Sequence, residues 1–139
     1  MVSLLDVNVL VALLVPEHEH HQVAVDWFAR EAVVDGWATC AVTELGVIRV
    51  CAQIAGGRRA PEATADRVLL LTVSNRAHAW WPDIASPALL AEVRTATTAK
   101  QVTDGYLLGL ARRHAGRIVT FDRALAAAGG PDAACLLPG

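Results

Sequence analysis

Four acidic residues carry most of the chemistry that this sequence offers: Asp6, Glu44, Asp104 and Asp122. Each stands where a predicted strand ends or where a predicted helix begins, and open α/β sheets bind their ligands at that edge. Converging carboxylates are preferred ligands of hard divalent cations such as Mg²⁺ and Mn²⁺. Cations held in this way are well suited to the hydrolysis of phosphodiesters. The four acids therefore predict a metal-dependent site for phosphate chemistry.

Asp6 interrupts an apolar run in the first residues of the chain. A carboxylate buried there without a partner would be costly or would take up a proton. Asp is also a favoured N-cap, so a capping role at the start of the following helix would be another explanation of Asp6. Asn8 adds a second polar group without an obvious structural need, and the pair favours a functional site.

Glu44 and Asp104 each follow a threonine at a predicted helix start, in Thr43-Glu44 and Thr103-Asp104. A capping hydroxyl and an acid at the positive end of the helix dipole would stabilise each helix by about 0.5–2 kcal/mol. Taken alone, capping is the better explanation of both pairs. Taken with Asp6, both acids would lie at the same rim of the sheet, which supports a shared site.

Asp122 precedes Arg-Ala-Leu and is typical of the cap of a short helix. Thr120, two residues earlier on a predicted strand, would project to the same side if the extended geometry continues. We therefore expect Thr120 to position the acids through its hydroxyl group. Because four neighbouring carboxylates repel one another, at least one should bind a proton more tightly than usual when no metal is present.

The apolar residues alternate along the chain between the periods of short strands and of helices. Strands are predicted at Val2–Leu5, Trp37–Ala41, His78–Trp81, Arg117–Phe121 and Ala133–Leu137. Helices are predicted at Val7–Leu14, from about His20 to Val33, from Thr43 to Gly56-Gly57, at Pro61–Leu71, Pro87–Ala96 and Thr103–His114, and after Asp122. This order predicts an α/β protein whose mostly parallel sheet of about five strands is covered on both faces.

The composition is that of a folded chain, with 54% hydrophobic and 19% charged residues among 139, and one domain spanning 1–139 is expected. The net charge of −2 provides no overall field that would attract nucleic acid. Cys40, Cys51 and Cys135 lie far apart in apolar contexts, which favours reduced thiols and a cytoplasmic protein. The N-terminal apolar stretch lacks a basic leader and is too short to span a bilayer, so neither a signal peptide nor a membrane anchor is expected.

Four blocks of the sequence occur in an order that resembles a known family. They are Leu4-Leu5-Asp6-Val7-Asn8-Val9-Leu10, Thr43-Glu44-Leu45, Val102-Thr103-Asp104-Gly105-Tyr106-Leu107-Leu108 and Val119-Thr120-Phe121-Asp122-Arg123-Ala124-Leu125. Over nearly its whole length the chain resembles a PIN domain and, more narrowly, the VapC-type toxins of bacterial toxin-antitoxin modules. It departs from the family at Val7, where a small hydroxyl residue is common.

The resemblance implies a three-layer α/β/α sandwich and a metal-dependent endoribonuclease with Asp6, Glu44, Asp104 and Asp122 as its acidic quartet. Asp6 and Asp104 would be the principal ligands of Mg²⁺ or Mn²⁺, and the other two acids would complete the site directly or through water. Asn8 and Thr120 would support the acids. Single-stranded RNA is the expected substrate. Its phosphates would meet arginine side chains, for which the candidates are Arg112, Arg113 and Arg123.

The same resemblance implies a VapB-type antitoxin that covers the acids, and a homodimer without membrane attachment. The two helices between Thr43 and Leu71 carry apolar residues that would accept a partner helix, although ordinary core packing would explain them equally well.

Several other features of the sequence have competing interpretations. The run His18-Glu19-His20-His21 lacks the spacing of a zinc helix and is expected to be a solvated helix entry. Trp80 and Trp81 would stack a base, but burial of at least one is favoured. A phosphoaspartyl receiver domain needs a late lysine after a strand, and Lys100, which precedes a predicted helix, is poorly placed for it. The main competitor is a non-catalytic PIN-like module that binds RNA or protein and uses the acids only as caps.

Overall fold

The sheet lies at the centre of the molecule and consists of five parallel strands. In the computed structural model, which describes residues 1–139, the strands are β1 Ser3–Leu5, β2 Trp37–Thr39, β3 His78–Trp80, β4 Arg117–Thr120 and β5 Ala133–Cys135. Their spatial order is β3-β2-β1-β4-β5. The predicted sheet is confirmed, with each strand one or two residues shorter than expected.

Alternating side chains of the central strands face two separate cores. Leu4 pairs with Ile118 across β1 and β4, and both side chains pack into one core. Leu5 pairs with Val119, and both pack into the other core. Near-continuous apolar strands of this kind are typical of a parallel sheet that is buried on both faces.

Helices cover both faces of the sheet and complete a three-layer α/β/α sandwich, as predicted. They are α1 Val7–Leu14, α2 His21–Trp27, α3 Val33–Asp35, α4 Ala41–Ala55, α5 Ala60–Val73, α6 Ala91–Arg94, α7 Ala99–Arg113 and α8 Arg123–Gly129. Buried residues of α1, α2, α4 and α5 share one core with Leu5, and those of α7 and α8 share the other with Leu4.

The prediction that a helix begins at Thr103 is wrong, because α7 begins four residues earlier. The helix begins at Ala99, and the Thr98 hydroxyl accepts a hydrogen bond from the backbone N–H of Gln101. The first turn lacks the apolar periodicity on which the prediction relied, but Thr98 is a good N-cap. Asp104 therefore lies in the second turn of α7 and caps nothing.

The start of α4 also differs from the prediction. The N-cap is Cys40, and the Thr43 hydroxyl accepts a hydrogen bond from the Cys40 N–H at 3.0 Å. Thr43 thus has the capping role that the sequence suggested, but it acts from the third residue of α4 and not from the N-cap position. Glu44 lies in the first turn, where its charge is favourable to the helix dipole.

Two predicted helices are interrupted. A π-helical segment, Phe28–Ala32, separates α2 from α3, and Gly36 ends this region with φ of 94° before β2. The predicted helix from Pro87 to Ala96 divides at Leu90, whose extended backbone separates a 3-10 turn from α6. No helix of the structure has both the length and the apolar character needed to cross a membrane.

The aromatic and histidine clusters are mostly packed. Trp81 is buried and stacks on His114 at a centroid distance of 4.4 Å, whereas Trp80 is half exposed. His21 lies 2.6 Å from the Ala12 carbonyl oxygen through Nδ1, and His20 stacks on Phe121. The predicted burial of one tryptophan is confirmed, and the histidines form no metal site.

Candidate active site

Asp6 and Asp122 follow the neighbouring strands β1 and β4, between which the order of strand addition reverses. The chain passes from β1 to β2 and β3 on one side, whereas β4 and β5 lie on the other side of β1. The crevice beyond the carboxyl ends of β1 and β4 is thus a topological switch point, where open α/β sheets bind ligands. Asp6 comes directly after β1, and Asp122 comes two residues after the end of β4.

Asp6 is both a helix cap and a buried acid of this crevice. Its Oδ1 accepts a hydrogen bond of 2.8 Å from the backbone N–H of Val7, and its Oδ2 accepts one of 2.7 Å from the Thr120 hydroxyl. Asp6 as a whole is 8% exposed. Burial raises its pKa above the ordinary value, the two hydrogen bonds oppose that shift, and the negative charge of Asp122 adds to it.

Thr120 connects three polar groups of the crevice. Its buried hydroxyl donates to Asp6 and accepts hydrogen bonds from the backbone N–H of Asp122 at 3.0 Å and from the Asn8 amide at 3.2 Å. Asn8 in turn accepts a hydrogen bond from the backbone N–H of Phe121 through Oδ1. This network of Thr120 and Asn8 joins the end of β4 to the start of α1.

Asp104 reaches the same crevice from α7. Its partly buried side chain has no hydrogen bond to a helix end, because it lies inside the helix. Burial raises its pKa, and the negative charges of Asp6 and Asp122 raise it further. Asp104 thus experiences the charges of both other acids, and Asp6 experiences that of Asp122, so the three carboxylates form one electrostatic cluster.

Lys100, which the sequence analysis considered only as the lysine of a receiver domain, contacts Asp122 within the acid cluster. It occupies the first turn of α7, four residues before Asp104, and residues with this spacing share one helix face. Its Nζ is 2.7 Å from Asp122 Oδ2, and this contact, followed by the charges of Asp104 and Asp6, raises the pKa of Lys100. The same ion pair lowers the pKa of Asp122.

Asp122 also caps α8, as predicted. Its Oδ1 accepts hydrogen bonds from the backbone N–H groups of Ala124 at 2.8 Å and Leu125 at 3.2 Å, while Oδ2 is held by Lys100. Both oxygens of Asp122 therefore have hydrogen-bond partners within the chain.

Glu44 has a different set of partners. Its Oε2 is 2.5 Å from the Thr39 hydroxyl, which is also 2.7 Å from His78 Nε2. Burial lowers the pKa of His78 and favours the neutral ring, which would donate from Nε2 to Thr39 while Thr39 donates to Glu44. Glu44 is not among the charges that raise the pKa of Asp6 or Asp104.

Sequence reasoning missed Lys100, Thr39 and His78. The spacing of Lys100 to Asp104 was a usable signal once the helix boundary was known. The contact of Thr39 with His78 joins β2 to β3, and no local pattern encodes it.

The arginine candidates for RNA phosphate all make contacts within the chain. Arg112 is paired with Glu92 at 3.1 Å and Asp132 at 2.9 Å, and Arg113 lies 3.9 Å from Glu92. Arg123 donates to the Pro138 carbonyl oxygen. Arg112 is the least available of the three, whereas Lys100 is exposed next to the acids.

The acid cluster has the oxygen donors that Mg²⁺ and Mn²⁺ prefer, but its side chains are not arranged for coordination. No three His, Cys, Asp or Glu side chains of the chain converge closely enough to hold one ion. The Lys100 ammonium group contacts Asp122 Oδ2 and would repel a cation there, whereas the hydrogen bond from Thr120 leaves Asp6 Oδ2 a lone pair for a ligand bond. The donor chemistry fits a hard cation once Asp122 exchanges Lys100 for it.

The fold and the acid cluster at its switch point define a class of nuclease-like α/β domains, and comparison with known proteins specifies the family. The family model described as PIN domain matches residues 3–131. Ribonuclease VapC29 of Mycobacterium tuberculosis is 42% identical over 99% of this chain and 98% of its own length. Ribonuclease VapC39 of the same organism is 38% identical over 91% of this chain and 92% of its own. The chain therefore belongs to the PIN-domain family and, within it, to the group of these VapC ribonucleases.

A solved structure supports the fold independently. A chain in the structure of FitAB bound to IR36 DNA fragment superposes with a TM-score of 0.69, covering 100% of this chain and 99% of that one. The two chains are only 19% identical, so this likeness concerns the fold alone.

Proposed function

We propose that this protein is a metal-dependent endoribonuclease that cleaves RNA phosphodiesters as the toxin of a type II toxin-antitoxin pair. The observation that carries the proposal is the cluster of Asp6, Asp104 and Asp122 at the switch point of the sheet, where burial and repulsion raise the pKa values of Asp6 and Asp104. Perturbed acids in a crevice of this kind are characteristic of functional sites. Relatives named as ribonucleases align with nearly the whole length of the chain.

Mg²⁺ or Mn²⁺ is the proposed cofactor, and Asp6 and Asp104 are its proposed main ligands. A bound divalent ion would polarise the phosphate and supply an activated water. Asp122 would join the ligands after releasing Lys100, and Glu44 would act through water from its position next to Thr39. Thr120 and Asn8 keep Asp6 and Asp122 in register by bridging β4 to α1.

The chain's own residues then account for two parts of the reaction. Asp6 and Asp104 carry charges that the metal-free protein disfavours, so cation binding relieves their repulsion. Lys100, once it no longer contacts Asp122, can approach a phosphate oxygen as a mobile point charge. Arg113 and Arg123 remain secondary candidates for phosphate contacts.

A VapB-type antitoxin and a homodimer are the partners that we propose. The α4–α5 pair exposes several large apolar side chains, and apolar surface of this kind is what a partner helix would cover. They are Leu45, Ile54, Leu69, Leu70 and Val73.

The test is RNA cleavage by the purified, partner-free chain with Mn²⁺ or Mg²⁺, with EDTA and with Asp6→Asn. We expect cleavage with either ion and its loss, by at least 100-fold, in both controls. Cleavage that survives EDTA would contradict the metal mechanism. Absence of cleavage of any RNA would favour the non-catalytic module, in which the acids cap helices and contact Lys100.

A further inference from the structure

A cavity of about 350 Å³ opens directly beside the acid cluster. It lies between α7, α8 and the segment 92–98, with Lys100, Asp104 and Asp122 at one end and Arg112 with Glu92 at the other. Its volume is within the range of small-ligand sites, roughly 300–1,000 Å³. A phosphodiester held at the acids would leave its neighbouring nucleotide within reach of this space.

Apolar side chains form part of the cavity lining, among polar residues such as Thr95 and Thr98. Leu108 of α7 and Leu125 and Ala128 of α8 form part of its lining. Such a surface favours the face of a flat ring over a second phosphate, and the acids at the mouth would repel further phosphates.

Gln101 lines the cavity, and its side-chain amide is oriented by contacts with Thr97. Its Oε1 accepts hydrogen bonds from the backbone N–H of Thr97 at 2.9 Å and from the Thr97 hydroxyl at 3.0 Å. Both lone pairs of that oxygen are thus used, and the amide NH₂ is the group that remains for a ligand. The far wall is also fixed, because Arg112 is held between Glu92 and Asp132.

We propose that this cavity binds the base next to the scissile phosphate and so determines which nucleotide is preferred beside the cut. The proposal rests on the ribonuclease function proposed above. Gln101 would donate to an acceptor on the base edge, and the pairing in which Gln binds adenine through both its oxygen and its nitrogen would be blocked by Thr97. The apolar lining would contact the ring faces.

The experiment compares Ala128→Phe with Ala127→Phe. Both alanines are exposed on α8, but only Ala128 lines the cavity, so the pair changes the same helix by the same substitution. A randomised RNA pool is cleaved with Mn²⁺ and the ends are sequenced. We expect Ala128→Phe to lower kcat/KM at least 10-fold and to alter the preference at one position beside the cut, while Ala127→Phe matches the wild type.

Gln101→Leu serves as a second variant that does not fill the cavity. It should change the preference at the same position, with Mn²⁺ affinity and thermal unfolding close to those of the wild type. Unchanged cleavage profiles in both Ala128→Phe and Gln101→Leu would overturn the proposal.

RNA affinity in EDTA, measured by fluorescence anisotropy, separates this proposal from the proposed function. If the wild type cleaves nothing, the nuclease function fails, yet a loss of affinity in Ala128→Phe alone would still support a base-binding cavity. Equal affinities of the wild type and of both alanine variants would overturn it.

Discussion

Asp104 carries a charge that the metal-free protein stabilises poorly, because it is partly buried near two other carboxylates. Its pKa is raised on folding, so the stability that its protonated form contributes is present below about pH 4 and is lost as the pH rises through the raised pKa. We expect Asp104→Asn to raise the Tm of the metal-free protein by about 2–5 °C at pH 7 and to have little effect at pH 4. Thermal unfolding in EDTA at the two pH values tests this. An equal loss of stability at both pH values would contradict it.

The Lys100 ammonium group supplies a positive charge to the acid cluster, and a metal ion must replace it at Asp122. Because the lysine is fully exposed, its ion pair is weak, and we expect Lys100→Met to tighten Mn²⁺ binding by only about 2–5-fold. Lys100→Arg keeps the charge and should bind Mn²⁺ as the wild type does. Titration calorimetry measures both. Weaker Mn²⁺ binding by Lys100→Met would show that the lysine supports the ligands instead of competing with the ion.

The candidate acids could be found from the sequence, but their partners could not. Asp6 and Asp122 stand out because each follows an apolar segment of the sequence. The links from Asp6 to Thr120 and from Glu44 through Thr39 to His78 join distant parts of the chain, so they depend on strand order.

At the scale of elements, α8 depends on an acid that is also a proposed metal ligand. Asp122 caps the helix through Oδ1, and Asn is an equally good cap, whereas Ala is not. We expect Asp122→Ala to lower the free energy of unfolding by about 0.5–2 kcal/mol relative to Asp122→Asn, because only Ala removes the cap. Urea unfolding of the two metal-free variants measures the difference. Equal stabilities would show that the cap contributes nothing to folding.

Most elements could be predicted because strongly apolar segments, such as those around Leu4 and Ile118, are buried on both sheet faces. The start of α7 could not be found from apolar spacing, since its first turn is polar and is defined by the Thr98 cap. Because of that boundary, Asp104 lies inside the helix, and capping no longer explains this acid.

At the scale of the whole molecule, the net charge of −2 limits how RNA can be bound. If only about two cations, such as Lys100 and Arg123, contact phosphates, the affinity for single-stranded RNA should fall about sevenfold between 50 and 200 mM salt. Anisotropy measurements across this range test the prediction. A fall of 100-fold or more would require additional contacts, for example from the exposed Arg58 and Arg59.

The central claim is that Asp6, Asp104 and Asp122 together hold a divalent cation, and stoichiometric Mn²⁺ binding tests it most directly. Electron paramagnetic resonance of free Mn²⁺ would be compared for the wild type, Asp104→Asn and Glu62→Gln, an exposed acid of α5 as control. We predict a defined site in the wild type and in Glu62→Gln, with affinity at least 10-fold lower in Asp104→Asn. Equal Mn²⁺ binding by all three proteins, or none by the wild type, would contradict the account.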